Sequence, residues 1–148
     1  MAGLVGITAG TAAVSPLGSV IIGFFSGIVT VLGVEFMDKV LKTDDPVGAV
    51  PVHGFSGAFG TIMVGLFAVD GGLFYGSGTE LLVTQITGVL ATFVWTVVTG
   101  LILFSIVKAI IGLRVSDREE EKGLDIREHG VQAYGDFMLR SGDIKEIQ

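Results

Sequence analysis

The sequence predicts an all-α, polytopic membrane protein, chiefly because of where its charges lie. No Asp, Glu, Lys or Arg occurs in three long segments, residues 1–34, 46–69 and 81–107. A bilayer core of about 30 Å takes about 20 helical residues, so uncharged apolar segments of this length are typical of membrane-spanning helices. Half of the 148 residues are hydrophobic. The alternative, helices buried in a large soluble core, explains three such segments in one short chain less well.

The boundaries of the apolar segments predict the order of the elements. A partial helix is expected over about residues 1–15, and full spans over about 17–36, 46–69 and 80–112. Fifteen residues are too few to cross a bilayer, so the first segment is expected to be the last part of a helix. Residues 1–112 are therefore predicted to form a transmembrane region. Residues 113–148, which carry most of the acids, are predicted to form an aqueous tail with a short helix around 126–137.

Small residues recur at three- and four-residue spacing in two of the predicted spans. In lipid, helices associate through close backbone approach rather than through the hydrophobic effect, so such stripes predict packing faces. The first stripe comprises Gly23, Ser26, Gly27, Thr30 and Gly33, and the second comprises Gly54, Gly57 and Gly60.

The positions of the basic residues predict the orientation. Lys39 and Lys42 lie in one loop and further bases lie in the tail, whereas the loop over residues 70–80 contains no Lys or Arg. Basic residues concentrate on the cytoplasmic side of membrane proteins. The sequence therefore predicts a multi-pass protein of the plasma membrane with a cytoplasmic C-terminus.

One histidine, His53, lies inside the second predicted full span, residues 46–69. An ionisable side chain within a membrane span is costly and indicates function by default. A neutral imidazole has one donor and one acceptor nitrogen, which suits a small hydrogen-bonding solute or a proton relay in a narrow pore. A structural histidine bonded to a neighbouring helix is the alternative. Asp44 and Asp45 precede the span and are predicted to cap its N-terminus at the cytoplasmic mouth.

Catalysis and metal binding lack the necessary residues. Ser56 follows His53 by three residues, but no acid lies within the span to orient the ring. No second His, Cys or carboxylate lies at ligand spacing inside the membrane. We therefore expect no enzyme activity, no metal, no cofactor and no nucleic-acid partner.

Three blocks of the sequence resemble the ammonium transporter family (Amt/Mep/Rh). The first is Asp44-Asp45-Pro46 followed by His53-Gly54, with Gly57 and Gly60 in phase. The second is the opening Ala2-Gly3-Leu4-Val5-Gly6-Ile7-Thr8-Ala9-Gly10. The third is the tail, with Gly112-Leu113-Arg114-Val115, Glu121, Gly123-Leu124-Asp125, Glu128-His129-Gly130 and Ala133-Tyr134. The three blocks follow the order and the spacing of that family. Together they cover nearly the whole chain.

The resemblance implies the last helices of an eleven-helix protomer that assembles as a homotrimer among membrane lipids. Each protomer of that family moves ammonium or ammonia through a hydrophobic pore in which two histidines face each other. His53 matches the second of these histidines. Nothing in this chain matches the first histidine or the outer aromatic gate.

The resemblance also implies a role for the tail. Gly123, Asp125, Glu128, His129 and Tyr134 match the family's cytoplasmic C-terminal motif, which couples protomers and regulates the pore. A PII-type signal protein is a further partner on that face in bacterial members. The alternative function is a truncated regulatory or assembly module that does not conduct by itself.

Overall fold

The computed structural model describes residues 1–131, and that part of the chain is helical. Its helices, in order, are α1 (Ala2–Thr8), α2 (Pro16–Glu35), α3 (Ser56–Phe67), α4 (Glu80–Ile110), α5 (Asp117–Lys122) and α6 (Asp125–His129). A π-helical stretch, Phe36–Leu41, continues α2, and another, Val50–Phe55, leads into α3. Within the described residues, extended pairing is limited to an isolated bridge between Val14 and Ala68. The all-α prediction is confirmed.

Three of these helices are long and apolar enough to cross a membrane. They are Pro16–Leu41, Val50–Phe67 and Glu80–Ile110, with the π-helical stretches included. The charge-free segments 46–69 and 81–107 each correspond to one of these helices, and the segment 1–34 contains α1 and most of α2. This finding supports the polytopic class by length and composition.

The first span begins at a well-formed cap. Pro16 occupies the first helical turn, and the Ser15 hydroxyl accepts a hydrogen bond from the Gly18 amide at 3.1 Å. Proline is tolerated there because its missing N–H would have no helical partner. The helix continues beyond the predicted end near residue 36, through Leu41. It stops where Lys42 adopts a left-handed conformation with φ 51°.

The second span begins later than the predicted start at residue 46. The Gly48 amide donates to the Asp45 carbonyl at 3.0 Å, and Gly48 has φ 64°, which a helix cannot accommodate. A turn therefore occupies residues 45–48, and the helix begins at Val50. Pro51 consequently lies in the first turn instead of kinking the interior. The turn that contains it and His53 is π-helical.

The core of the first 99 residues is a close crossing of α1, α2 and α3 around Gly6. A Cβ atom added at Gly6 would overlap the Ser26 side chain, and one added at Gly60 would overlap the Gly6 carbonyl. Ser26, Thr30 and Gly33 belong to the buried face of α2, together with Gly18 and Ile22. The predicted packing stripe of α2 is thus confirmed at these positions, whereas Gly27 faces open space.

Helix α4 differs from the others because none of its residues is buried. It comes close to α3 near its start, where a Cβ atom added at Gly65 would lie 2.5 Å from the Leu82 Cα. Glycine is required there because any side chain would meet backbone.

The chain divides into two compact units, Met1–Thr99 and Gly100 onward. In the second unit, Ser116 and Glu119 form a reciprocal capping box at the start of α5. The Ser116 amide donates to the Glu119 carboxylate at 3.0 Å. The tail helix predicted around residues 126–137 is observed as α6, Asp125–His129, and its predicted remainder after residue 131 lies outside the described residues.

Candidate functional site

A cleft of about 340 Å³ lies between the second span and α4. The second span lines it with His53, Gly54, Gly57, Ala58 and Thr61, and α4 lines it with Gly88, Val89, Thr92, Phe93 and Thr96. Glycines occur in both walls, Gly54 and Gly57 in the second span and Gly88 in α4. The cleft thus combines an apolar, glycine-rich lining with one imidazole and a few hydroxyl groups.

The imidazole of His53 is exposed to this cleft. It projects from the π-helical turn Val50–Phe55, which widens the backbone at this level. Two cleft hydroxyls already donate to their own helices, Thr61 to the Gly57 carbonyl at 2.9 Å and Thr96 to the Thr92 carbonyl at 2.8 Å. A hydroxyl has a single proton, so these two oxygens face the cleft as acceptors. The Thr61 and Thr96 oxygens can therefore accept hydrogen bonds from a small solute in the cleft.

The three predicted packing glycines of this span occupy different environments. Gly60 is buried against the Gly6 backbone. Gly57 and Gly54 line the cleft, where an added Cβ atom would meet no atom closer than 4.0 Å at Gly57 and 3.8 Å at Gly54. Gly60 therefore makes the close contact between α3 and α1. Gly54 and Gly57 instead leave the cleft wall beside His53 without side chains.

The two predicted capping acids also differ. The Asp45 carboxylate accepts hydrogen bonds from the Ala49 and Val50 amides, each at 2.8 Å. It therefore satisfies two free N–H groups at the start of the span and places a negative charge at the positive end of the helix dipole. Asp44 lines a second cleft of about 250 Å³ beside Asp38. No side-chain hydrogen bond of Asp44 is found among the described residues.

The predicted tail residues lie in or beside α6. Asp125, Glu128 and His129 belong to that helix, and Gly123 joins it to α5 with φ 84° and ψ 150°. This backbone conformation is essentially restricted to glycine. Within the same unit Glu119 pairs with Arg127, and Glu120 pairs with Arg114 at 3.0 Å. Tyr134 lies outside the described residues.

Sequence reasoning missed the role of Ser56, which was considered only as a nucleophile. The Ser56 side chain is fully buried between α2 and α3 and bonds to both Thr30 and the Ser26 carbonyl. The signal in the sequence was the small-residue stripe of α2, which contains both Ser26 and Thr30. The sequence did not show that α3, with Ser56, is the helix that packs against this stripe.

The fold and the cleft define a polytopic membrane protein in which an ionisable side chain opens into a space between two spans. Comparison with known proteins gives the family. The model of the Ammonium Transporter Family matches residues 1–134. The chain belongs to this family, as its three sequence blocks predicted.

Individual relatives agree. The chain is 44% identical to ammonium transporter Amt2 of Archaeoglobus fulgidus, over 97% of the chain and 33% of that protein. It is 39% identical to ammonium transporter Amt1 of Haloferax mediterranei, over 96% of the chain and 27% of the relative. It is 38% identical to the ammonium transporter of Bacillus subtilis, over 93% of the chain and 36% of that protein. The chain thus spans about a third of the length of the curated relatives it matches.

Proposed function

We propose that this chain supplies the last spans of an ammonium transporter, in which His53 lines the path of ammonium or ammonia across the membrane. The observation that carries the proposal is the exposure of His53 to the glycine-walled cleft beside α4. An imidazole within a membrane span is costly in lipid and indicates function by default. Family membership supports ammonium as the solute.

The chemistry of the cleft agrees with this solute. Ammonium has four N–H donors and no acceptor, and the Thr61 and Thr96 oxygens offer acceptors only. A neutral imidazole nitrogen can accept a proton from ammonium, and the ring can return it through its other nitrogen. The apolar remainder of the wall favours neutral ammonia over a hydrated cation. His53 would thus separate ammonia from its proton.

We extend the proposal to orientation and assembly. The tail, residues 113–148, is proposed to be cytoplasmic and to couple protomers of a homotrimer, with Gly123, Asp125, Glu128, His129 and Tyr134 as its regulatory residues. Lys39 at the end of the first span, Lys42 directly after it and the bases of the tail support this orientation by the positive-inside rule. Asp44 and Asp45 would then lie at the cytoplasmic mouth. A PII-type signal protein is the proposed partner on this face.

A chimera tests the transport role directly. The matching third of Archaeoglobus fulgidus Amt2 is replaced by residues 1–148, and methylammonium uptake is measured in cells that lack their own ammonium transporters. We expect the chimera to transport and its His53→Ala variant to lose at least about 90% of uptake, as when a group acting in the rate-limiting step is removed.

The control is Val31→Ala, which truncates an exposed side chain of α2 that lies outside the cleft. It should leave uptake unchanged at equal membrane abundance. Unaltered uptake in His53→Ala would exclude the histidine from the transport path. A chimera that inserts and assembles but does not transport would contradict the proposed function of the whole chain.

A second function, an assembly module that does not conduct alone, is favoured by one observation. All of α4 and the His53 cleft are uncovered in this chain, so apolar surface remains available to other family segments. If this function is correct, the tagged chain will co-purify with a full-length family transporter and reduce its uptake, and will give no uptake when produced alone. Failure to co-purify would count against it.

A further inference from the structure

A buried pair of hydrogen bonds joins α2 to the start of α3. The Ser56 hydroxyl donates to the Ser26 carbonyl at 3.1 Å. The Thr30 and Ser56 hydroxyl oxygens are 2.5 Å apart. Because the single proton of Ser56 is already used, Thr30 is the donor to Ser56. We call this arrangement, from Thr30 through Ser56 to the Ser26 carbonyl, the hydroxyl bridge.

The hydroxyl bridge is shielded from solvent. Ser26 and Ser56 are 0% exposed and Thr30 is 9% exposed. In an apolar surrounding without water, a hydroxyl group depends on the partners that the protein supplies. The bridge therefore holds one register of α3 on α2.

The position of Ser56 makes this register relevant to His53. Ser56 is the first residue of α3 and directly follows the π-helical turn Val50–Phe55. The same turn rests on α2 a second time, at Gly33, where an added Cβ atom would lie 2.5 Å from Phe55 Cδ2 and 3.1 Å from Pro51 Cβ. The turn is thus attached to α2 on one side, while His53 is exposed on the cleft side.

We propose that Ser56 is a positioning residue for His53: the hydroxyl bridge fixes the end of the π-helical turn and thereby the direction of the imidazole in the cleft. The inference rests on the proposed transport function of His53. Ser56 would not contact the solute, but it would affect how well the site distinguishes one solute from another.

The network offers a matched pair of variants. In Ser56→Ala, Thr30 can donate instead to the Ser26 carbonyl of its own helix, four residues earlier, as threonine often does. The link between α2 and α3 is then lost without adding an unsatisfied hydroxyl to that of Ser26, which has no hydrogen-bond partner in the original chain, so the variant should fold. In Thr30→Val, the Ser56 hydroxyl keeps its bond to the Ser26 carbonyl, and the link remains.

The first measurement is amide hydrogen exchange on the full 148-residue chain in lipid nanodiscs. Ser56→Ala should speed exchange of amides 52–57 by about tenfold or more, while Thr30→Val leaves them within about twofold of the original chain. Equal exchange in Ser56→Ala and the original chain would overturn the proposal. So would equal acceleration in both variants, because the Ser56–Ser26 bond would then not be the link.

The second measurement is the ratio of kcat/KM for ammonium to that for methylammonium in the chimera. Ser56→Ala should change this ratio by about threefold or more, in the direction of His53→Ala, and Thr30→Val should not. If Ser56 has only a structural role, Ser56→Ala will lower the amount of transporter and leave the ratio of the two kcat/KM values unaltered. That result would overturn the positioning role.

The two proposals fail in different ways. If His53→Ala itself does not affect transport, the proposed function fails, and the exchange data still decide whether the bridge holds the turn. If His53→Ala alters the ratio and Ser56→Ala does not, only the positioning role fails.

Discussion

Gly60 on α3 lies directly against the backbone carbonyl of Gly6 on α1, so that a Cβ atom at position 60 would overlap that carbonyl group. Both glycines are buried. At the same crossing, a Cβ atom at Gly6 would overlap Ser26 of α2. Three helices therefore meet where two of them have no side chain, and the distance between their axes is set by backbone contact.

Gly60→Ala is expected to separate α1 from α3 and to destabilise the chain by about 1–3 kcal/mol, as overpacking of a filled interior does. The obstacle is backbone, which cannot move aside as a rotamer can, so the helix-forming advantage of alanine of roughly 1 kcal/mol does not compensate. The measurement is thermal unfolding of the purified chain in detergent, followed by circular dichroism. Gly27→Ala, where open space surrounds the site, is the control and should unfold at the original temperature or above. Equal stability of the two variants would contradict the close crossing.

Asp45→Ala should destabilise the start of the His53 span by about 0.5–2 kcal/mol, the usual cost of losing a helix cap. The Ala49 and Val50 amides would lose the carboxylate that accepts from both. Amide exchange at residues 49–52 measures the effect. Asp44→Ala removes the same charge one residue earlier and should stay within about 0.5 kcal/mol of the original chain, as is usual for exposed positions. Similar exchange in the two variants would show that charge near the terminus, and not the capping geometry, is responsible.

Gly65→Ala should displace the start of α4 from α3. Although Gly65 does not line the cleft, this displacement should alter the distance between the two cleft walls. The added methyl group would lie 2.5 Å from the Leu82 Cα. In the chimera we expect methylammonium uptake to fall by about tenfold, because small displacements of positioning elements are costly in rate. The control is Gly100→Ala, which has open space around its Cα and should retain full uptake. If Gly65→Ala transports normally, the α3–α4 contact does not determine the cleft.

Gly123→Ala is expected to disrupt the junction of α5 and α6 at a cost of about 1–3 kcal/mol, because alanine does not tolerate φ 84° with ψ 150°. Faster amide exchange over residues 117–129 would report the change. Arg118→Ala, an exposed substitution in α5, should leave the exchange as it is. If the tail regulates transport as proposed, Gly123→Ala should also reduce uptake by the chimera, whereas the Arg118 variant should not.

The membrane class and the family were predictable from the sequence because both depend on local features. Charge-free segments of sufficient length make helices in lipid, since every backbone group must be bonded within the segment. The spacing from Asp44-Asp45-Pro46 to His53-Gly54 is likewise a property of the linear chain. Helix starts were less predictable: Pro46 has the features of a first-turn proline, yet the turn closed by Gly48 delays the helix to Val50.

The order of residues alone predicts that this chain crosses a membrane, that one histidine lies within a span, and that small residues line the helices around it. Which of those small residues meet follows only from the folded structure. Gly54, Gly57 and Gly60 are equivalent in the sequence, but Gly60 faces α1 and the other two face the cleft. Likewise, Ser56 is one of many hydroxyl residues until α2 brings Thr30 and the Ser26 carbonyl beside it. The reason is physical: hydropathy depends on each residue alone, whereas a packing contact depends on the rotation and register of two helices, which are fixed only when all of the contacts form together.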